Sequence, residues 1–217
     1  MGFLDELTAC DRAVLLTSAR RVVYRDGAEI IVHGDRSRET FVVLDGAAMA
    51  TLVSLEGRFV AYRTIGPGDV FGELAALTGA PRNAWVHARG SVEVGVLGAD
   101  VLERVIVERP GIALALCRHL AGMVADLTER VFEHTALPVR QRLARELVRR
   151  AAANGDCAVI ERLSPHAELA AFIGTHREAV TKELSALARE GLIHRDGRAV
   201  RIPSLRALES AIAGAEH

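Results

Sequence analysis

Two groups of residues in this 217-residue chain have the types and spacing for chemistry. The first is Phe71-Gly72-Glu73-Leu74-Ala75-Ala76-Leu77, followed after Thr78-Gly79-Ala80-Pro81 by Arg82-Asn83. A short helix opened by Gly72 aims the unpaired N–H groups of its first turn, at Glu73 and Leu74, and the positive end of its dipole at an anion. Arg82 can add a planar fork to two phosphate oxygens, a geometry that lysine lacks. The second group is Thr175, Arg177, Glu178, Thr181 and Lys182, just after Gly174. At about 100° per residue, Arg177, Glu178, Thr181, Lys182 and Ser185 share one arc while Val180, Leu184 and Leu187 share another. Such an outward arc can read base edges: Arg177 at guanine O6 and N7, Glu178 at cytosine N4, Lys182 at guanine or phosphate.

The second group needs two helices set by a tight turn. Ser164-Pro165 reads as an N-cap with proline at the first helical position, Glu168–Ile173 as a helix closed by Gly174, and Thr175 with Glu178 as a capping box that restarts it. Two helices so joined are a helix-turn-helix. Leu192–Arg195, an Asp196-Gly197 turn and Arg198–Ile202 add a wing-type hairpin. Upstream, Val139–Ala153 reads as a helix with Leu143, Leu147 and Val148 inward and Arg140, Arg142, Arg145, Arg149 and Arg150 around the other faces, where phosphate contacts are possible. Asn154-Gly155-Asp156 reads as a turn and Ser204–Ile212 as a terminal helix.

The first group lies in a strand-rich half. After a helical lead-in over residues 3–25, Glu29–His33, Phe41–Leu44, Ala48–Leu55, Phe59–Ile65, Ala84–Ala88 and Val92–Leu97 are short runs rich in Val, Ile, Thr and aromatics. Gly34-Asp35, Asp45-Gly46, Glu56-Gly57 and Gly66-Pro67-Gly68-Asp69 separate several of them, the spacing of a sandwich or barrel. Between the halves, Arg109–Ala136 carries Leu116, Leu120, Met123, Leu127 and His134 at steps of four, three, four and seven. That spacing predicts one apolar helical seam, with a second copy of the chain as the economical partner.

Net charge is only −1, but residues 1–108 hold eleven arginines against fifteen acids, whereas residues 136–217 hold thirteen basic residues against ten acids. The positive field therefore belongs to the carboxy-terminal part, whose Lys182 is the chain's single lysine. Cys10, Cys117 and Cys157 share no short spacing and the eight histidines are scattered, so neither a metal site nor a cluster is expected. No apolar run is read as a membrane span, and the acidic start Met1–Glu6 lacks a signal peptide's basic residues, so the expected compartment is the cytoplasm. No paired-carboxylate or Ser/His/Asp arrangement suggests an enzyme.

The cassette at Gly72–Asn83 resembles the phosphate-binding cassette of cyclic-nucleotide-binding domains. Joined to the helix-turn-helix, residues 10–205 resemble in order and spacing the cyclic AMP receptor protein and fumarate-nitrate reductase regulator family of bacterial transcription factors. The resemblance implies an α+β chain: an amino-terminal jelly-roll sensor over residues 1–108, a dimerisation helix over 109–136 and a winged helix-turn-helix over 137–217. It further implies a homodimer whose recognition helices sit about 34 Å apart on a palindromic operator with TGTGA-like half-sites, with RNA polymerase as a further partner. It gives Glu73 the ribose 2′-OH, and places Leu127 and Thr128 where the family presents a Thr-Ser pair to adenine. Asn83 stands where that receptor has serine, and Lys182 replaces the last arginine of the Arg-Glu-x-x-x-Arg base contacts. The effector implied is cyclic AMP first and cyclic GMP second, since half of the adenine contact is gone, with no metal. A member of the same fold sensing another effector, or active without one, is the alternative.

Overall fold

The computed structural model describes residues 2–53 and 59–213, so the expected Glu56-Gly57 turn lies outside the described residues. Contacts divide the chain into two compact units, Met1–Ala125 and Asp126–His217.

The first unit opens with a 3-10 turn at Phe3–Glu6 and α1 (Ala9–Ser18), capped by the Thr8 hydroxyl, which accepts from the Asp11 amide at 3.1 Å. Then follow β1 (Arg20–Tyr24), β2 (Glu29–Ile31), β3 (Thr40–Val53), β4 (Phe59–Ile65), β5 (Val70–Phe71), α2 (Glu73–Thr78), β6 (Trp85–Leu97), α3 (Ala99–Glu108) and the start of α4 (Pro110–Ala136). All strand pairs are antiparallel. The expected pairs Phe41–Leu44 with Ala48–Leu55, and Ala84–Ala88 with Val92–Leu97, are each one long strand. The Asp45-Gly46 turn residues form an irregularity rather than a reversal: the β3–β6 register shifts on both sides of Asp45, and Gly46 takes φ +80°, where a Cβ would fall 2.2 Å from the Ser91 carbonyl oxygen. Before the bend β3 pairs with β5, after it with β4. Both halves nonetheless feed one core, with Phe41, Val43, Ala48 and Ala50 from β3 against Val86, Val92, Val94 and Val96 from β6. This is the rolled sheet that the barrel expectation implied.

A second core lies under the helices, where Phe3, Leu4, Leu15, Val105, Ile112, Ala115 and Leu116 pack with Val42, Val70 and Leu97. Here the expected seam of α4 is corrected in part. Leu116 is buried in this core and Leu120 packs against it, while Met123 is half-buried, so this side of α4 faces its own unit. What α4 leaves exposed in the single chain includes a different stripe, Leu114, Cys117, Ala121, Val124, Thr128, Val131 and Thr135, at steps of three and four throughout, and Leu127 of the expected seam and Phe132 are exposed as well. Leu114, Val124 and Val131 are 51%, 63% and 64% exposed. By length and composition α4 reaches what a membrane crossing requires, with a mean hydropathy of 1.3 over 18 residues, contrary to the expectation that no segment does. Its apolar residues are shared between a core-facing side and this stripe.

The second unit contains the end of α4, α5 (Val139–Arg150), β7 (Ala152–Asn154), β8 (Cys157–Ile160), α6 (His166–Phe172), α7 (Arg177–Arg189), β9 (His194–Asp196), β10 (Ala199–Ile202) and α8 (Leu205–Ala213). The expected helix Val139–Ala153 stops at Arg150, and residues 152–154 pair with β8 in an antiparallel sheet ordered β7-β8-β10-β9. Val139–Arg150 buries Leu143, Ala144 and Leu147 with Leu169, Val180, Leu184, Leu187, Ile193 and Ile202. Helix α8 has a structural role: Leu208 is fully buried, and the Asp156 carboxylate accepts from the Ser204 hydroxyl at 2.6 Å and the Arg206 amide at 3.1 Å.

Candidate functional site

In the first unit Gly72 ends β5 and caps α2 at φ +79°. A Cβ there would meet Arg82 Nη1 at 2.8 Å and the Glu39 carbonyl oxygen at 3.0 Å, so glycine is required both for the turn and for the closeness of that arginine. Arg82 is buried and its guanidinium donates to three groups of the chain: Nε to the Ser37 hydroxyl at 3.1 Å, Nη1 to the Gly72 carbonyl at 2.8 Å, and Nη2 to the Glu39 carbonyl at 2.7 Å. The Glu39 carboxylate lies 3.7 Å away, and the Phe41 ring 5.9 Å from the guanidinium carbon. Glu73 is 2% exposed. Burial pushes its carboxyl above the usual range, opposed by its own backbone hydrogen bond and by Arg63 and Arg82. Burial likewise lowers Arg82, against the pull of Glu39, Asp35 and Glu73.

Gly72, Glu73 and Arg82 line a small recess, partly open to solvent, and Leu74 and Asn83 line it as exposed residues. Its walls all belong to the first unit, whereas Leu127 and Thr128, exposed in the single chain, lie on α4 in the second. The recess also takes in Arg63 and Met123. Arg63 was not singled out in the sequence, although its period-two relation to Ile65, 1% exposed, places both on the inward side of β4.

A carboxyl raised by burial binds its proton more tightly in the folded state. It penalises stability least below its ordinary value near 4.5, and the penalty grows as pH rises through the window above it. Glu73→Gln is therefore expected to raise the unfolding midpoint of the nucleotide-free protein at pH 8 by a few degrees, on the order of 1 kcal/mol. The gain should shrink at pH 5. Thermal melts at the two pH values check it; an equal gain at both would mean that the buried charge is not the cause.

In the second unit α6 and α7 are joined through Gly174 at φ +62°, with the Thr175 amide donating to the Ala170 carbonyl at 2.9 Å. Two cap expectations are corrected. Helix α6 begins at His166 with Pro165 as its cap, and the Ser164 hydroxyl donates to Glu168 at 3.0 Å and accepts from Arg150 at 2.7 Å. Helix α7 begins at Arg177 with His176 as its cap and no side-chain cap bond, so Thr175 and Glu178 form no capping box. Arg177, Glu178, Thr181, Lys182 and Ser185 are all exposed on one side of α7, while Val180, Leu184 and Leu187 are buried. Among the described residues the ion pairs of this unit lie on α5 and its partners, Arg140, Arg145, Arg149 and Arg150, and not on Arg177 or Lys182. The Thr181 hydroxyl is occupied: it donates to the Arg177 carbonyl at 3.0 Å and lies 2.8 Å from His166 Nδ1. His166 is held below its ordinary value first by burial, then by Arg195 and Arg177, a sign of positive potential on this face. In the wing Asp196 pairs with Ala199, which leaves Gly197-Arg198 as the two-residue loop, one residue on from the expected turn.

The arginines of α5 are mostly committed internally. Arg140 pairs with Glu190, Arg145 with Glu129 and Glu133, Arg149 with Glu133 and Glu146, and Arg150 with Glu146 at 2.6 Å. Glu133 and Glu146 are buried, so these contacts satisfy buried carboxylates instead of leaving cations for phosphates.

A rolled sheet holding a buried glutamate and arginine in one recess, joined in sequence to a winged helix-turn-helix with an exposed reading face, defines a ligand-sensing DNA-binding regulator. Family models agree: residues 21–109 match the cyclic nucleotide-binding domain and residues 141–211 the Crp-like helix-turn-helix domain. The chain is similar to a CRP-like cAMP-activated global transcriptional regulator of Mycobacterium tuberculosis, 25% identical over 194 residues covering 88% of this chain and 87% of that one. It is 27% identical to a cyclic AMP receptor protein of Thermus thermophilus over 208 residues, 92% of this chain and 91% of that one. A solved transcriptional regulator of the CRP/FNR family from Thermus thermophilus is 26% identical with a TM-score of 0.72, covering 91% of this chain and all of that one. The chain belongs to this family of cyclic-nucleotide-binding-domain transcription regulators, which act on DNA and are not enzymes.

Proposed function

We propose that the chain works in the cytoplasm as a homodimer whose grip on a palindromic operator is set by a cyclic nucleotide at Gly72, Glu73, Leu74, Arg82 and Asn83. The observation that carries it is the recess in which a buried carboxylate and a buried guanidinium stand together behind an exposed Asn83. The phosphate takes the donors Arg82 has left after its three internal bonds, and Glu73 accepts from the ribose hydroxyl. The exposed stripe on α4 forms the contact between copies. Thr128, which lies on it, is the α4 residue proposed to reach the base, and Leu127 flanks it. Arg177, Glu178 and Lys182 read the half-site, while Thr175 and Thr181 set the turn and the helix pair. RNA polymerase is the partner of the bound dimer.

Anisotropy of a labelled duplex with TGTGA-like half-sites tests this. Affinity should rise by tenfold or more with saturating cyclic nucleotide, a coupling of about 1.4 kcal/mol. It should fall by ~1–3 kcal/mol in Arg177→Ala. Equal affinity with and without nucleotide refutes the gating, and an unaffected Arg177→Ala refutes the reading face. The second reading, a regulator with another effector or none, draws on Arg82 already being bonded by Ser37, Gly72 and Glu39. It would give tight operator binding by the nucleotide-free protein.

A further inference from the structure

The recess holds a second guanidinium, Arg63, whose charge, like that of Arg82, acts on Glu73. Arg63 on β4 is half-buried and pairs in register with Ala50 on β3, a residue whose small side chain lines the same recess. Among the described residues its hydrogen bond is from Nη1 to the Met123 thioether on α4 at 3.5 Å, a weak acceptor that satisfies little of a five-donor group. No ion pair is formed by Arg63 among the described residues, in contrast to Arg82 with its three oxygen acceptors and Glu39. The two arginines are also anchored differently: Arg82 against Ser37, Glu39 and Gly72, Arg63 against α4. Were the cyclic phosphate at Gly72 and Arg82 and the ribose at Glu73, the base would be the part of the nucleotide left to meet the remaining wall, which includes Arg63 and Met123.

We infer that Arg63 reads the base and selects a 6-oxo purine, guanine over adenine; this rests on the cyclic nucleotide reading above and adds the identity of the base to it. Guanine presents O6 and N7 as adjacent acceptors, which a guanidinium fork meets with two parallel N–H donors. Adenine keeps the N7 acceptor but places an amino donor where O6 would be, so one Arg63 N–H faces another N–H. That mismatch leaves donors unpaired in a partly buried site, the kind of penalty that discriminates strongly between otherwise similar ligands. Giving up the thioether contact to take the base costs little, because sulfur is the weaker acceptor.

Isothermal calorimetry on the full chain with cyclic AMP, cyclic GMP and cyclic IMP decides it. Cyclic IMP has the 6-oxo group without guanine's 2-amino group, so it isolates the O6 and N7 edge. Cyclic GMP and cyclic IMP should bind alike and each about tenfold or more tighter than cyclic AMP. In Arg63→Ala that ratio should fall toward one, because cyclic GMP and cyclic IMP lose two acceptor contacts and cyclic AMP only the one at N7, and Arg63→Lys should lie between. Cyclic AMP binding the wild type as tightly as cyclic IMP, or a ratio unmoved in Arg63→Ala, overturns the inference while leaving the nucleotide site standing. If the variants do not fold, the wild-type ratio of cyclic IMP to cyclic AMP decides alone. Heat from none of the three nucleotides overturns the cyclic nucleotide reading itself, and this inference with it.

Discussion

Arg82→Ala is expected to abolish cyclic nucleotide binding and, in the nucleotide-free protein, to lower the unfolding midpoint by roughly 10 °C, the scale of about 3 kcal/mol. The two effects have separate origins in one side chain. Binding is lost because the planar fork for phosphate is gone. Stability is lost because Arg82 is 3% exposed and ties together segments far apart in sequence: the Ser37 hydroxyl, the Glu39 carbonyl and the Gly72 carbonyl that precedes α2. Truncation strips three acceptors of a charged donor and opens a void beside Phe41. Arg82→Lys keeps the charge but gathers its donors on one nitrogen, which cannot come within hydrogen-bond distance of acceptors set around Nε, Nη1 and Nη2, so it should recover part of the stability and little of the binding. Calorimetry reads the first effect and melting curves the second. A variant that melts like wild type would show these contacts to be dispensable, and one that still binds nucleotide would remove Arg82 from the phosphate site.

The sites were more legible than the scaffold, for physical reasons visible in particular residues. Gly72, Glu73 and Arg82 stand out because a backbone anion cradle needs glycine, helix start and fork within about ten residues, a local pattern. Arg177 to Lys182 stand out because a helix repeats its faces locally. What is set by distant pairing was not legible: Asp45-Gly46 looks like a turn until β6 is seen to pair on both sides of it, and Ala152–Asn154 looks helical until β8 supplies its partner. Val101, Leu102, Val105 and Ile106 mark α3 at helical spacing, a helix missing from the expected elements between Leu97 and Arg109. Of the carboxylates that pair with the α5 arginines, Glu146 stands at local helical spacing from Arg149 and Arg150, whereas Glu129, Glu133 and Glu190 lie elsewhere in the sequence.

Val131→Asp is expected to leave each chain folded but to break the dimer, raising its dissociation constant roughly 1000-fold, or about 4 kcal/mol. Helix α4 carries two apolar stripes, and periodicity alone does not tell which one is spent inside the chain. Leu116 and Leu120 repeat as well as any seam, but Ile112, Ala115 and Leu116 are buried with Val42, Val105 and Leu97, and an aspartate at Leu116 should therefore unfold the sensor unit. Val131 is 64% exposed in the single chain and stands on the stripe with Leu114, Val124 and Thr128, so in the monomer an aspartate there stays largely in water. In a parallel twofold contact along this stripe the residue lies opposite its own copy, and two carboxylates are forced together in an apolar seam. Leu127→Asp, beside the stripe, should weaken the dimer less. Sedimentation at micromolar concentration separates the cases: folded Val131→Asp monomers locate the interface, whereas a Val131→Asp protein that remains dimeric while Leu127→Asp dissociates would move the contact to the neighbouring face of α4.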